Sequence, residues 1–375
     1  MSELYLFLFH VPRFGYCLMC ICLCKFISFY MVWLINFVCK QKDSLCVSEF
    51  YIWFCSCVCL CFTKIILLSF VDMELELPKR LYAEGLKPQV KKINNCCRME
   101  LIRDLKKAMS AEYNDVKIDP VFKHIMAIAD NKLGFLGKLE DSFLCNQLIT
   151  SKMHEKWFVF ARTPLRFSLQ EYHAVTGLKV SRESSSDVVT WKNDGGGGGW
   201  NNLLRTGDKI TLKSIRKVHL KEVHKWTRID RMRLIYLCVI MGVVMGRDEK
   251  VNIPDMYIKL VMDLDKRRKF HWGLHSYDFL LSSIEKARKK LGKKDSYIFE
   301  GFSYALQIWI IEAIPDFGEI CGRQVSGSFV GPRCGNWKGV ANDSYEDITE
   351  LEDSLTKKVT ILHCFLIYGC CIKFV

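Results

Sequence analysis

The chain has 375 residues, of which 50% are hydrophobic and 25% charged, with a formal net charge of +13. That length holds one large or two ordinary domains, with ample apolar content for a core. The averages exclude a uniform reading. Residues 1–72 contain 10 of the 19 cysteines with 5 basic against 4 acidic residues, while 73–357 carry 47 basic against 37 acidic, so the excess charge sits mostly in the middle.

The N-terminal part contains two apolar stretches, Gly15–Cys39 and Phe50–Val71, long enough to count as membrane-span candidates although Lys25 and Lys64 interrupt them. A secretory signal fits less well, because the apolar region is too long and broken for a short core with a small-residue cleavage site. The Cys-, Phe-, Ile- and Leu-rich composition stops abruptly before Met73. Residues 1–72 therefore read either as a transmembrane anchor or as a gene-model artefact from translated upstream non-coding DNA. Cys55, Cys57, Cys59 and Cys61 alternate, and Cys17 and Cys20 have the inner spacing of a zinc turn, but no second pair follows at zinc-ribbon spacing. No metal or other cofactor is expected. In the body only Cys96, Cys97, Cys145, Cys238, Cys321 and Cys334 remain, as in a reduced intracellular protein with mostly buried thiols.

From Met73 onward the periodicity is mainly helical. Leu101, Ile102, Leu105 and Met109 share one helical face. Trp157-Phe158-Val159-Phe160 reads as a short buried strand that Thr163-Pro164 closes. A helix follows, with Ser168 as N-cap and Glu171 three residues on. Phe167 packs on Tyr172, and Gly177 supplies a left-handed stop. Ser184-Ser185-Ser186 and Gly195–Gly199 bracket a flexible insertion at 184–199. Arg231–Val244, almost wholly apolar from Leu234, is too short to span a bilayer and reads as the central buried helix.

Further along, Pro254 opens a helix with the stripe Tyr257, Leu260, Val261 and Leu264. Tyr277, Leu280, Leu281, Ile284 and Leu291 form the next stripe, with Lys286, Lys289, Lys290 and Lys293 mainly on its polar side. A helix over about 302–314 stops at Pro315, and Asp343–Asp353 reads as an exposed, mobile acidic stretch. The expected fold is mainly α (α+β), with a short strand or small sheet around 157–162. The expected organisation is 1–72 as above, a helical domain at 73–314, and an acidic linker with an apolar tail at 315–375.

The unit Trp157–Leu178, with Pro164, Leu165, Arg166, Phe167, Ser168, Glu171, Tyr172, Gly177 and Leu178, resembles a plant family, the domain of unknown function 1985. Leu77–Gly85, Asp141–Thr150, Val261–Leu264, Trp272-Gly273 and Gly301–Pro315 extend that resemblance across roughly Met73 to Ile314, and it implies that Asp141–Thr150 is the helix preceding the aromatic strand. The resemblance implies a transposon-encoded or transposon-derived plant protein with no assigned activity. Longer relatives often carry a SUMO-protease-like cysteine peptidase domain, which is not expected within these residues.

Catalytic patterns are weak. Gly195–Gly199 has no following Lys-Ser/Thr pair for a phosphate loop, and His271-x-x-x-His275 lacks the zinc-protease glutamate and has Trp272-Gly273 set to interrupt a helix. His173 reads as a surface or packing residue. Cys334 precedes a glycine, but no ordered base and orienting partner accompany it, so it reads as a loop cysteine. Charge is the remaining functional signal. Residues 192–233 hold 11 basic against 4 acidic residues, and 266–294 hold 10 against 2. Lys266, Arg267, Arg268 and Lys269 form one cluster, and Arg228, Arg231 and Arg233 another; on one face they would neutralise phosphates without sequence preference. The alternative is a solvated face that keeps the protein soluble. The expectation is a non-catalytic interaction module contacting protein or nucleic acid, nuclear or cytoplasmic. The alternatives are a membrane-anchored protein or an inactive remnant of a cysteine-peptidase-associated protein.

Overall fold

Helix α1, Met99–Ala108, turns Met99, Leu101, Ile102 and Leu105 into the core, with Lys106 and Lys107 in its last turn, where cations complement the helix dipole. A computed structural model describes residues 77–82, 90–181, 209–339 and 344–358, all within one unit, Leu77–Val375. The fold is mainly α, with small two-stranded sheets. Strand β1, Lys92–Asn95, precedes α1; α2, Ser110–Lys117, α3, Lys123–Asp130, and α4, Gly137–Cys145, follow. The expected helix 141–150 thus ends at Cys145, and Gln147 and Leu148 make isolated bridges to Phe158 and Arg80.

The aromatic strand β2, Lys156–Phe160, pairs antiparallel with β3, Thr163–Phe167. This corrects the expected closure at Thr163-Pro164: the turn lies two residues earlier, at Ala161 and Arg162, whose φ values of 47° and 62° suit a two-residue hairpin. Pro164 sits opposite Val159 in a two-stranded ribbon, where one strand edge needs no donor. Phe158, Val159 and Phe160 are all buried, and Phe158 and Phe160 pack on the Phe143 ring of α4.

After α5, Leu169–Thr176, the described chain resumes in a helical stretch at 212–225, α6, which mixes an α-turn with the π-helical Ile215–His219 and a closing 3-10 turn, Val223–Lys225. Helix α7, Arg228–Val239, continues as a π-helical segment, Ile240–Val244, buried throughout. It is the expected central helix. Then come α8, Asp255–Met262, α9, Leu264–Lys269, and α10, Trp272–Arg288. Tyr257, Leu260, Val261, Tyr277, Leu280, Leu281, Ile284 and Leu291 are all buried.

Strand β4, Ser296–Phe299, pairs parallel with β1, so residues about 200 positions apart lie side by side. Helix α11, Ser303–Ala313, ends where Pro315 begins α12, Pro315–Cys321. Short strands β5, Arg323–Gln324, and β6, Trp337–Lys338, pair beside it. Helix α13, Tyr345–Lys358, corrects the expectation of a mobile acidic linker after residue 315. Phe317, Cys321, Trp337 and Ile348 join the same core as α1, and the Tyr345 hydroxyl donates to Asp141 Oδ2 at 2.7 Å. Glu346, Asp347, Glu350 and Asp353 are exposed, whereas Glu352 is buried with Ile348 and accepts from the Ala161 amide at 3.4 Å. No described helix is long and apolar enough to cross a membrane. The membrane-span candidates, Cys17, Cys20, Cys55 to Cys61, the insertion and the tail all lie outside the described residues.

Candidate nucleic-acid interface

The structure disperses the predicted basic residues. In α9, Arg267 is 0% exposed. Its Nη2 donates to Asp119 Oδ2 at 3.0 Å, and its guanidinium lies 3.2 Å from the centre of the Tyr236 ring. Asp119 also accepts from the Tyr236 hydroxyl at 2.9 Å and the Val121 amide at 2.9 Å. Burial pushes the Asp119 carboxyl up, but the Val121 amide, Arg267 and Tyr236 together outweigh it and leave the pKa lowered. Arg267 is therefore corrected from a surface cation to the centre of an internal ion pair.

Its neighbours are compensated in varying degree. Lys266 lies 3.7 Å from Asp263, and Arg268 Nε 3.5 Å from Asp119; exposed Lys269 has no ion-pair partner among the described residues. The second cluster mostly ties α7 to its surroundings. Arg228 reaches Asp115 and Arg231 reaches Glu112, both on α2, at 2.5 and 2.6 Å. Arg233 pairs with Asp230 at 3.1 Å and donates to the Met262 carbonyl at 3.3 Å.

Other cations remain open. Lys217, Lys221 and Lys225 on α6 are exposed, recur every four residues, and have no ion-pair partner among the described residues. Nearby Arg216 is taken up by Asp104 at 2.8 Å and Glu100 at 3.6 Å. Sequence counting placed α6 in a basic region but did not single out these lysines. Their four-residue spacing is the signal that would have found them.

The motif residues have a different part. The Ser168 hydroxyl accepts from the Gln170 amide at 3.2 Å, and Glu171 accepts from the Ser168 amide at 2.8 Å and from Arg166 at 2.9 Å. The Phe167 ring meets Tyr172 edge-on at 6.3 Å, and Gly177 has φ 70°. This unit docks on α10. The Tyr172 hydroxyl lies 2.8 Å from Ser276 Oγ, and the Tyr277 hydroxyl donates to the Phe167 carbonyl at 3.2 Å. Gly273 donates to the Lys179 carbonyl at 2.9 Å, and a Cβ there would stand 2.6 Å from the Leu178 carbonyl oxygen. Trp272-Gly273 thus opens a helix rather than interrupting one, with glycine required by close approach. Leu165 packs half-buried against the core, and Leu178 is fully buried.

The residues that make this docked unit are the ones that carry the sequence resemblance. Residues 144–283 match the family of a domain of unknown function, DUF1985. The match runs from the end of α4 through the hairpin, α5 and most of α10, and leaves β1, α1, β4, α11 and α13 outside it. Of the segments that resemble the family, Leu77–Gly85 and Gly301–Pro315 also lie outside. No curated protein and no solved structure matches the chain.

The six described cysteines are all buried. Burial pushes the Cys334 thiol up, opposite to what a thiolate nucleophile needs. His173 is exposed, with Nδ1 2.8 Å from the Leu178 carbonyl. His275 lies 2.7 Å from the Tyr257 hydroxyl, and burial followed by the charge of His271 holds its pKa below the ordinary value. Among the described residues no group of His, Cys, Asp or Glu is arranged to hold a metal.

Proposed function

We propose that the folded unit is a non-catalytic interaction module that contacts the phosphate backbone of nucleic acid through exposed lysines. The observation that carries this reading is that Lys217, Lys221 and Lys225 are exposed along one helical stretch and form no ion pair among the described residues. Phosphate contacts need positive charge and little else, and they bring affinity without sequence preference. Lys269 and Arg268 add charge at α9. The DUF1985 match brings no activity of its own, and a plant, transposon-derived origin with nuclear action accords with this reading. Buried Cys334 favours the non-catalytic reading over a remnant hydrolase. A membrane anchor would rest on residues 1–72 alone.

The test is titration of the full chain against labelled duplex DNA and RNA at several salt concentrations. The reading expects binding at low salt that weakens steeply as salt rises, because association releases condensed counterions. Absence of binding at low salt, or binding indifferent to salt, would refute it.

A further inference from the structure

The parallel pairing of β1 with β4 assembles a second basic surface that neither end of the chain contains alone. Lys91 and Lys92 both donate their amides to the Asp295 carbonyl, at 2.8 and 3.3 Å, and Lys92 stands opposite Ser296 in register. This sets Lys92 beside the turn that follows α10, where Lys289, Lys290, Lys293 and Lys294 are all exposed. The three carboxylates between residues 285 and 300 are each engaged. Glu285 meets Lys156 at 2.5 Å and Arg288 at 3.6 Å, Asp295 meets Lys91 at 2.9 Å, and Glu300 meets Lys286 at 3.9 Å. Lys92 and the four lysines of the turn are left with no ion-pair partner among the described residues.

The C-terminal dipole of α10 favours cations, which accounts for lysines in the last helical turn but not for those beyond it, since the effect fades within a turn. Lys293, Lys294 and Lys92 lie past that range. Five uncompensated cations repel one another, and a polyanion removes that repulsion. The surroundings narrow the choice of polyanion. Leu291 is buried, Ile298 is the one exposed large apolar side chain of β4, and no aromatic ring is exposed between residues 286 and 296, so there is no stacking platform for unpaired bases. The geometry points to Lys92, Lys289, Lys290, Lys293 and Lys294 as a docking surface for the phosphate backbone of double-stranded DNA. This rests on the nucleic-acid reading above and assigns part of the contact to a place in the fold.

The experiment measures the full chain against duplex DNA by fluorescence anisotropy over a range of salt. A variant with Lys289, Lys290, Lys293 and Lys294 all changed to glutamine is compared with one in which all four become arginine. The glutamine variant is expected to bind about tenfold or more weakly at low salt, with its salt slope reduced by about one for each lost contact. The arginine variant retains binding, which separates charge from folding. All four side chains are exposed, so the far-ultraviolet circular dichroism stays as in the parent. Parent binding that the glutamine variant keeps in full would overturn this surface and leave the wider reading standing. No duplex binding by the parent would remove both. Preference for vesicles containing anionic lipid over duplex DNA would overturn the assignment in favour of a membrane surface.

Discussion

The hairpin and capped helix at 156–177 and the basic segment at 266–269 were equally conspicuous in sequence, yet they differ in where their partners lie. In the first, Ser168, Glu171, Phe167 and Tyr172 satisfy one another within five positions. In the second, Arg267 is held by Asp119 across 148 positions and by the Tyr236 ring. A cap can be read from a few letters because its chemistry is local. A charge cannot be read as exposed until its possible counter-charges have been placed.

The comparison breaks most readily at the ion pair. Asp119→Ala leaves Arg267 buried without its carboxylate and is expected to cost about 3–5 kcal/mol, measured by equilibrium unfolding in urea. A cost no greater than that of a helix cap would mean that Tyr236 alone holds the arginine. The same pair sets a pH dependence. The folded pKa of Asp119 is lowered, so its stabilisation is complete above the ordinary carboxylate value near 3.9 and disappears as pH falls through the lowered folded value. Unfolding followed from neutral pH into that acid range should show a steeper loss of stability in the parent than in Asp119→Ala.

Within the hairpin unit, Gly177→Val tests a backbone requirement. Its φ of 70° disfavours a β-branched residue, and a Cβ would stand 2.4 Å from Pro332 Cγ. The expected loss is about 2–3 kcal/mol, read from the same unfolding curve, and a neutral result would mean that the stop is not left-handed. Ser168→Ala removes the hydroxyl acceptor and should cost about 1 kcal/mol. Lys266→Gln, on a half-exposed side chain whose nearest carboxylate is 3.7 Å away, should change stability by less than about 0.5 kcal/mol. A loss as large as that of Asp119→Ala would show that the basic segment acts as a single buried unit.

Much of the helical fold was legible because its signals repeat at helical spacing. Leu101, Ile102 and Leu105, or Tyr277, Leu280, Leu281 and Ile284, mark a buried face by themselves. The second strand was missed because Pro164 punctuates the sequence, while the turn uses Ala161 and Arg162, which carry no glycine or asparagine signal. Helix α13 was missed because Ile348, Leu351 and Leu355 are thinly spread among carboxylates. The core also joins α1, α11 and α13 to the DUF1985 match, so the folding unit is larger than the matched residues. For the basic surface, sequence supplied the regions but not the exposed members. Lys217, Lys221 and Lys225 could be separated from Arg216, Arg228, Arg231 and Arg267 only after Asp104, Asp115, Glu112 and Asp119 were in place.

On the proposed function, openness rather than density in sequence decides which cations meet a polyanion. The most direct measurement compares duplex DNA binding by two variants of the full chain at one low salt concentration. One replaces Lys217, Lys221 and Lys225 with glutamine, and the other replaces Lys266, Arg268 and Lys269. The first variant is expected to lose the larger share of affinity, about tenfold, with a salt slope lower by about three. A first variant that binds like the parent, beside a second that does not, would contradict it.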